Sequence, residues 1–290
     1  MKSIDPEALR RYNAGVEKNR LRSGLGLVEF ARTCEILLEQ LPASPAGDAA
    51  PAGDAAPAVV YDIGGGYGEY AYWLAARGYE VHLFDLAEGN IAMAADMRGE
   101  YPLPLAATEA ADARDIPRPG ASADAVLFMG PLYHITERAE RLAALREAKR
   151  LLRPGGKLFA AAITPHATLL WATTVFGRDN DLLTEPAFME MVSRELRDGQ
   201  HIPSPASSYN GLRRAFFHRP EELAAELAEA GFVSPDVRGV VGPAWLAPDL
   251  DAQWADPARR EALLRTVRLT EREAPLMGLH THLLAVALRI

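Results

Sequence analysis

A single cysteine, Cys34, stands among 290 residues. One thiol excludes an intrachain disulfide and a cysteine-based zinc cluster, and it suits a reducing compartment. Basic residues are also few: 31 Lys and Arg against 39 Asp and Glu leave a formal net charge of −8. Such a balance gives no electrostatic footprint for a phosphate backbone, so no nucleic-acid partner is expected. No apolar run approaches the roughly 20 residues that span a bilayer, and the first residues carry acids without a signal-like apolar core. No membrane partner is expected, and the predicted location is the cytoplasm. What is present is ordinary for a globular chain, 49% hydrophobic and 24% charged. The length suits one α/β core with a small added cap.

The most informative stretch is Val59-Val60-Tyr61-Asp62-Ile63-Gly64-Gly65-Gly66-Tyr67-Gly68. A run of β-formers ends on an acid, breaks into glycines and leaves through Glu69-Tyr70-Ala71-Tyr72-Trp73-Leu74, which has helical apolar spacing. This predicts strand, turn and helix. The glycines let the backbone turn with positive φ and approach a ligand closely, and the helix start offers amide groups to an anionic end of that ligand. A nicotinamide-type fingerprint, G-x-G-x-x-G from Gly64 and Gly66, fails where Glu69 replaces the third glycine. A second acid, Asp85, ends the next strand, Glu80 to Phe84, where a carboxylate can accept from ribose hydroxyls.

Asp62-x-Gly64-x-Gly66-x-Gly68, followed by Asp85 and by Ala111-Asp112-Ala113-Arg114-Asp115-Ile116-Pro117, resembles the motif series of class I S-adenosylmethionine-dependent methyltransferases. The turn Arg153-Pro154-Gly155-Gly156 is similar to the same family. Gly130-Pro131-Leu132-Tyr133-His134, with Tyr12, Glu17 and Arg20-Leu21, resembles a bacterial subgroup of small-molecule type. The resemblance departs after Asp85, where Leu86-Ala87-Glu88 stands in place of a proline-containing turn. It implies S-adenosyl-L-methionine as cofactor and S-adenosyl-L-homocysteine as product. Asp62 and the turn Gly64, Gly65, Gly66 and Gly68 would then hold the methionine moiety, Asp85 the ribose, and Asp112 with the Ala113 backbone the adenine. Leu86, Met129 and Gly130 complete the expected cofactor set, with Glu88 as the substitute ribose acceptor and Asp115 read as a solvent-facing turn residue.

Along the chain, Asp5-Pro6 starts a helix that places Leu9, Tyr12 and Val16 on one face and Glu17 and Arg20 on another. A second helix carries the stripe Leu27, Phe30, Ala31, Cys34, Leu37, Leu38 and Leu41, making Cys34 inert core. Residues 43–57, with Pro-Ala-Gly-Asp-Ala-Ala repeated, read as a flexible linker between this N-terminal helical cap, 1–42, and the core. From Val59 the alternation of strand and helix predicts an α/β fold with a mostly parallel sheet and helices on both faces. The family adds a Rossmann-like, seven-stranded sheet with an antiparallel last strand. The core is expected over 58–163 and 217–290. Residues 164–216 interrupt it after the fifth strand and read as a substrate-cap insertion at the ligand-binding edge.

Methyl transfer is an in-line displacement, for which positioning and desolvation supply most of the acceleration, and a base is needed only for a protonated acceptor. His134, Tyr133, His166 and Tyr12 are the candidate bases; His134 follows strand four, and imidazole titrates near neutrality. Trp171, Phe176, Phe188 and Tyr209 are candidates for an acceptor pocket or for the core of the cap. His280 and His282 form a pair without an identifiable third ligand, so no metal is expected. The acceptor is expected to be a small molecule, such as a secondary metabolite, on a monomer or homodimer. A peptide or protein acceptor, a dinucleotide-dependent oxidoreductase and a binding protein without chemistry are the alternatives.

Overall fold

Alternation from Val59 onward builds one central sheet. The computed structural model describes residues 5–43, 56–97, 99–101, 103–174 and 180–290. Residues 44–55 of the expected linker, Arg98 and Phe176 lie outside the described residues. In chain order the elements are α1 (Pro6–Asn13), α2 (Leu25–Gln40), β1 (Val59–Ile63), α3 (Glu69–Ala75), β2 (Glu80–Asp85), α4 (Glu88–Met97), β3 (Ala107–Ala110), β4 (Ala123–Phe128), α5 (Pro131–His134) and α6 (Arg138–Leu151). There follow β5 (Leu152–Ile163), α7 (Ala167–Thr173), α8 (Pro186–Asp198), β6 (Gln200–His201), β7 (Ala215–Phe216), α9 (Pro220–Glu229), β8 (Val233–Gly239), α10 (Leu250–Ala255), α11 (Pro257–Thr270) and β9 (His282–Leu288).

Seven strands pair in the order β3-β2-β1-β4-β5-β9-β8, parallel except for β9, which runs antiparallel to both neighbours. The expected architecture is the one observed. One face is covered by α2, α3 and α4, whose Ile36, Leu37, Leu74 and Ala94 pack on Val60, Leu83 and Leu127. On the other face, Leu142 and Leu145 of α6 and Leu223 and Leu227 of α9 pack on Ile63, Val126 and Ala285. Burying such a two-sided apolar sheet is the main favourable term in a fold of this kind.

Several boundaries differ from the sequence reading, each for a local reason. Helix α1 ends at Asn13 because Gly15 and Asn19 adopt left-handed φ, 80° and 66°. Glu17 and Arg20 therefore sit on a turn, and Val16 is 47% exposed instead of sharing the face of Tyr12. The buried face of α2 is rotated from the expected stripe: Leu38 is exposed, whereas Val28, Glu29, Arg32 and Ile36 are buried. Arg32 tolerates burial because Glu271 and Glu35 neutralise it, at 2.8 and 2.7 Å. Cys34 is buried core, and burial pushes its thiol pKa far up. Arg153 to Gly156 lies inside β5 as an irregularity between the Ala123–Leu152 and Ala125–Lys157 pairs.

Candidate functional site

The strand order reverses between β1 and β4, and ligands of open α/β sheets bind beyond the carboxyl ends of the strands at such a point. There the glycine turn is fixed from below. The Gly64 amide donates to the Phe84 carbonyl at 2.7 Å, and the Gly66 amide donates to Asp85 Oδ2 at 2.9 Å. A Cβ at Gly64 would strike the Pro131 ring at 2.6 Å, and one at Gly65 the Asp62 carboxylate at 2.5 Å. At Gly66, with φ of 61°, it would meet nothing within 4 Å. Gly66 borders a cavity, so its open space is a cradle of the kind a closely approaching ligand requires.

That cavity has a volume of about 150 Å³ and opens to solvent. Its floor is Gly64, Gly65 and Gly66 with Met129 and Gly130. It is also lined by Asp85, Leu86, Asn90, Asp112 and Ala113 and by Tyr133, His134 and Ile135. Helix α1 lies over the top with Ala8, Leu9 and Tyr12, continued by Glu17, Arg20 and Leu21. All the expected cofactor residues therefore border one space except Asp62 and Gly68. Asp62 lies beneath Gly65, and Gly68 packs behind the turn against Leu83 and Tyr72.

Burial sets the electrostatics. Asp62 is fully buried, and among the described residues neither carboxylate oxygen has a hydrogen-bond partner. The Ala71 amide faces it and offsets part of the cost, but falls short of hydrogen-bond geometry. Burial, then the charge of Asp85, raises the Asp62 carboxyl to about 7. Asp85 is also raised by burial, against amide donors at Ala87 and Gly66 and the Asn90 side chain. Its Oδ2 accepts one of these bonds and keeps acceptor capacity, and the neighbouring Asn90 Oδ1 is buried without a partner. Hydroxyl donors fit this wall. Glu88, the substitute acceptor, is exposed and does not border the cavity. Asp112 is gripped by Arg114 at 2.8 and 2.6 Å, and Arg114 is shared with Glu140.

Arg20 and Glu29 were not legible as a pair. Arg20 donates to Glu29 at 2.7 and 3.1 Å and to Glu17 at 2.6 Å. Burial would raise the Glu29 carboxyl, but Arg20 overrides it and holds it at about 2. This half-buried pair anchors the segment after α1 to α2 and presents the guanidinium at the cavity wall.

Tyr12 and His134 meet at the cavity, the hydroxyl 2.7 Å from Nε2 with the rings edge to face. Burial lowers the imidazole pKa to about 4 and raises that of the Tyr12 phenol well above 10, so both are neutral at neutral pH. Imidazole in water titrates near neutrality; here desolvation moves it away. Tyr133 is engaged, donating to the Met129 carbonyl at 3.1 Å. His166 does not border the cavity: it precedes α7 beside Gly278. Trp171, Phe188 and Tyr209 pack into a separate core with Ala172, Met191 and Val192. Among the described residues none of 164–217 lines the cavity. The insertion instead supports α1 from behind, where Arg11 donates to the Gly211 and Asn210 carbonyls at 2.8 and 3.1 Å and Arg213 pairs with Glu7 at 3.3 Å. His280 packs on Gly239 and Gly242, whereas His282 faces Glu29, so the two imidazoles serve different neighbours. Among the described residues no helix is long and apolar enough to cross a membrane.

Residues 60–156 match the model of a family described as a methyltransferase domain. The biotin biosynthesis bifunctional protein BioHC of Cellvibrio japonicus (strain Ueda107) is 28% identical over 170 residues, 59% of this chain. The chain spans only 32% of that relative's length. A S-adenosylmethionine-dependent methyltransferase of Thermotoga maritima, described as a possible histamine N-methyltransferase, is 17% identical over 98% of this chain and 100% of that one, with a TM-score of 0.54. A S-adenosylmethionine-dependent methyltransferase of Mesorhizobium loti is 20% identical over 90% of this chain and 100% of its own, at 0.53. The [4+2]-cyclase SpnF, 18% identical over 89% of this chain and 80% of that one, aligns at 0.51. At these identities the likeness to solved structures is one of fold.

Proposed function

We propose that this chain, whose residues 60–156 match a methyltransferase domain family, transfers the methyl group of S-adenosylmethionine to a small-molecule acceptor held under α1. The observation that carries the acceptor class is the cover: Ala8, Leu9 and Tyr12 lie over the cavity, and α1 is itself tied down by the carbonyls of Asn210 and Gly211. A site bordered by a tethered helix suits a metabolite better than an extended peptide.

In this reading the Gly64–Gly66 turn lies against the methionine moiety with Asp62 shaping the turn from beneath. Asp85 and Asn90 receive the ribose hydroxyls, and Asp112 with the Ala113 backbone borders the adenine. Arg20, the only cation on the cavity wall among the described residues, is held by Glu17 and Glu29 and offers its remaining N–H donors to the cofactor's carboxylate. The cofactor supplies an activated methyl group; the chain excludes water, fixes the line of attack and, through Tyr12 and His134, accepts a proton. The test is to incubate the enzyme and trideuteromethyl-labelled cofactor with a cell extract and separate it by ultrafiltration. Label in the low-molecular-mass fraction supports the reading. Label confined to protein or peptide replaces it with the peptide-acceptor alternative.

A further inference from the structure

Ionisable groups on the cavity wall restrict what an acceptor can be. Four carboxylates border the space, Glu17, Glu69, Asp85 and Asp112, against one cation among the described residues, Arg20. Arg20 is already held by Glu17 and Glu29. Glu69 and Asp112 are in turn held by Arg22 and Arg114, which stand behind the wall and not on it. An anionic acceptor, a carboxylate or a phosphate, would enter with no counter-ion of its own. An ammonium beside Tyr12 would feel the charges of Glu17 and Asp85, which reach that residue, and would keep the proton that masks its lone pair. A neutral acceptor escapes both penalties.

Ala8, Leu9 and Ile135 add apolar surface to the same space, which also holds the Tyr12–His134 pair. We infer that the acceptor is a neutral hydroxyl compound of phenol or enol type, and that Tyr12 relays its proton to Nε2 of His134. The inference rests on the methyl-transfer reading above. The acceptor oxygen uses a lone pair to bond the methyl carbon as the donor's C–S bond breaks and its electron pair stays on sulfur. The acceptor's proton passes to Tyr12 Oη, and the proton of Tyr12 passes to His134, leaving an imidazolium. The cavity holds one positive charge at sulfur before the step and one at imidazole after it. Net charge inside the buried site is conserved, so a histidine kept neutral in the resting enzyme can accept the proton once the sulfonium is gone. An aliphatic alcohol is too weak an acid for this base, which is why the inference stops at phenols and enols.

The test uses the full chain, a metabolite extract of the producing cells and trideuteromethyl-labelled cofactor, with the labelled atom located by mass spectrometry and NMR. The expected product is a methyl ether that keeps its label in mild hydroxide. Label in a base-labile carboxylate ester, on phosphate, or on nitrogen, sulfur or carbon overturns the inference while leaving methyl transfer intact. If no compound is labelled and no S-adenosylhomocysteine forms, the methyl-transfer reading fails and this inference with it. For the relay, Tyr12→Phe should lower kcat by about 10- to 100-fold with cofactor affinity unchanged. A Tyr12→Phe enzyme that turns over at the wild-type rate contradicts the relay.

Discussion

Replacing Gly66 by alanine separates the proposed cofactor cradle from the fold that carries it. The φ of Gly66 is 61°, so alanine there costs about 1–2 kcal/mol of backbone strain. The new Cβ meets no protein atom within 4 Å, so the folded chain loses little else. Any cost beyond strain falls on what binds there. A methyl in the cradle holds the ligand off the turn or pulls the Gly66 amide from Asp85, where it now sits at 2.9 Å. Losing one hydrogen bond to a charged group is worth about 1.5–3 kcal/mol, which is about 10- to 150-fold in Kd. Gly155→Ala is the matched control: its φ is 83°, its Cβ would also meet nothing, and it lies in β5 outside the cavity. Isothermal titration with S-adenosylhomocysteine should show the loss for Gly66→Ala and unchanged affinity for Gly155→Ala, with similar falls in thermal stability. Affinity in Gly66→Ala within about twofold of wild type would refute the cradle.

Three further outcomes follow from the same geometry. His134→Ala should lower single-turnover rates by about 10²–10⁴ with cofactor affinity retained; in wild type the acid limb of kcat/KM should lie near pH 4, where burial puts the imidazole, and a limb near 6.5 would contradict its buried, neutral state. For Asp62, folding holds a proton up to pH of about 7 that the unfolded chain releases near 3.8. Stability from this group is therefore lost as pH rises through that window, and Asp62→Asn should gain on wild type from pH 4 to 8 by up to roughly 4 kcal/mol in denaturant titrations, a gain that a flat difference would disprove. Arg11→Ala should speed hydrogen exchange in both α1 and 208–214, because the two are joined through the Asn210 and Gly211 carbonyls; faster exchange in only one of them would mean that they do not move together.

Local chemistry was legible in the sequence where local chemistry decides the structure. The glycine turn, Asp85, Asp112-Ala113 and Met129-Gly130 each end or follow a strand, and the parallel order of those strands brings them to one edge. The Tyr12–His134 contact spans 122 residues and depends on where α1 docks, which no spacing reveals. Arg20 with Glu29 escaped for a similar reason: a charged residue on an apolar helix reads as solvent-facing until its partner from another segment is known. His166 has the right chemistry, but the chain carries it away from the cavity into α7. The cap aromatics were open between pocket and core, and a segment with its own small core needs Phe188 and Tyr209 to fill it.

Methyl transfer at this cavity is tested most directly by a single turnover. Enzyme loaded with one equivalent of trideuteromethyl-labelled cofactor is mixed with the fractionated small-molecule extract, quenched and analysed by mass spectrometry. The account predicts one equivalent of S-adenosylhomocysteine appearing with one equivalent of labelled small molecule, and loss of both in Gly66→Val. S-adenosylhomocysteine formed without a labelled acceptor, or equal turnover by the Gly66→Val enzyme, would contradict it.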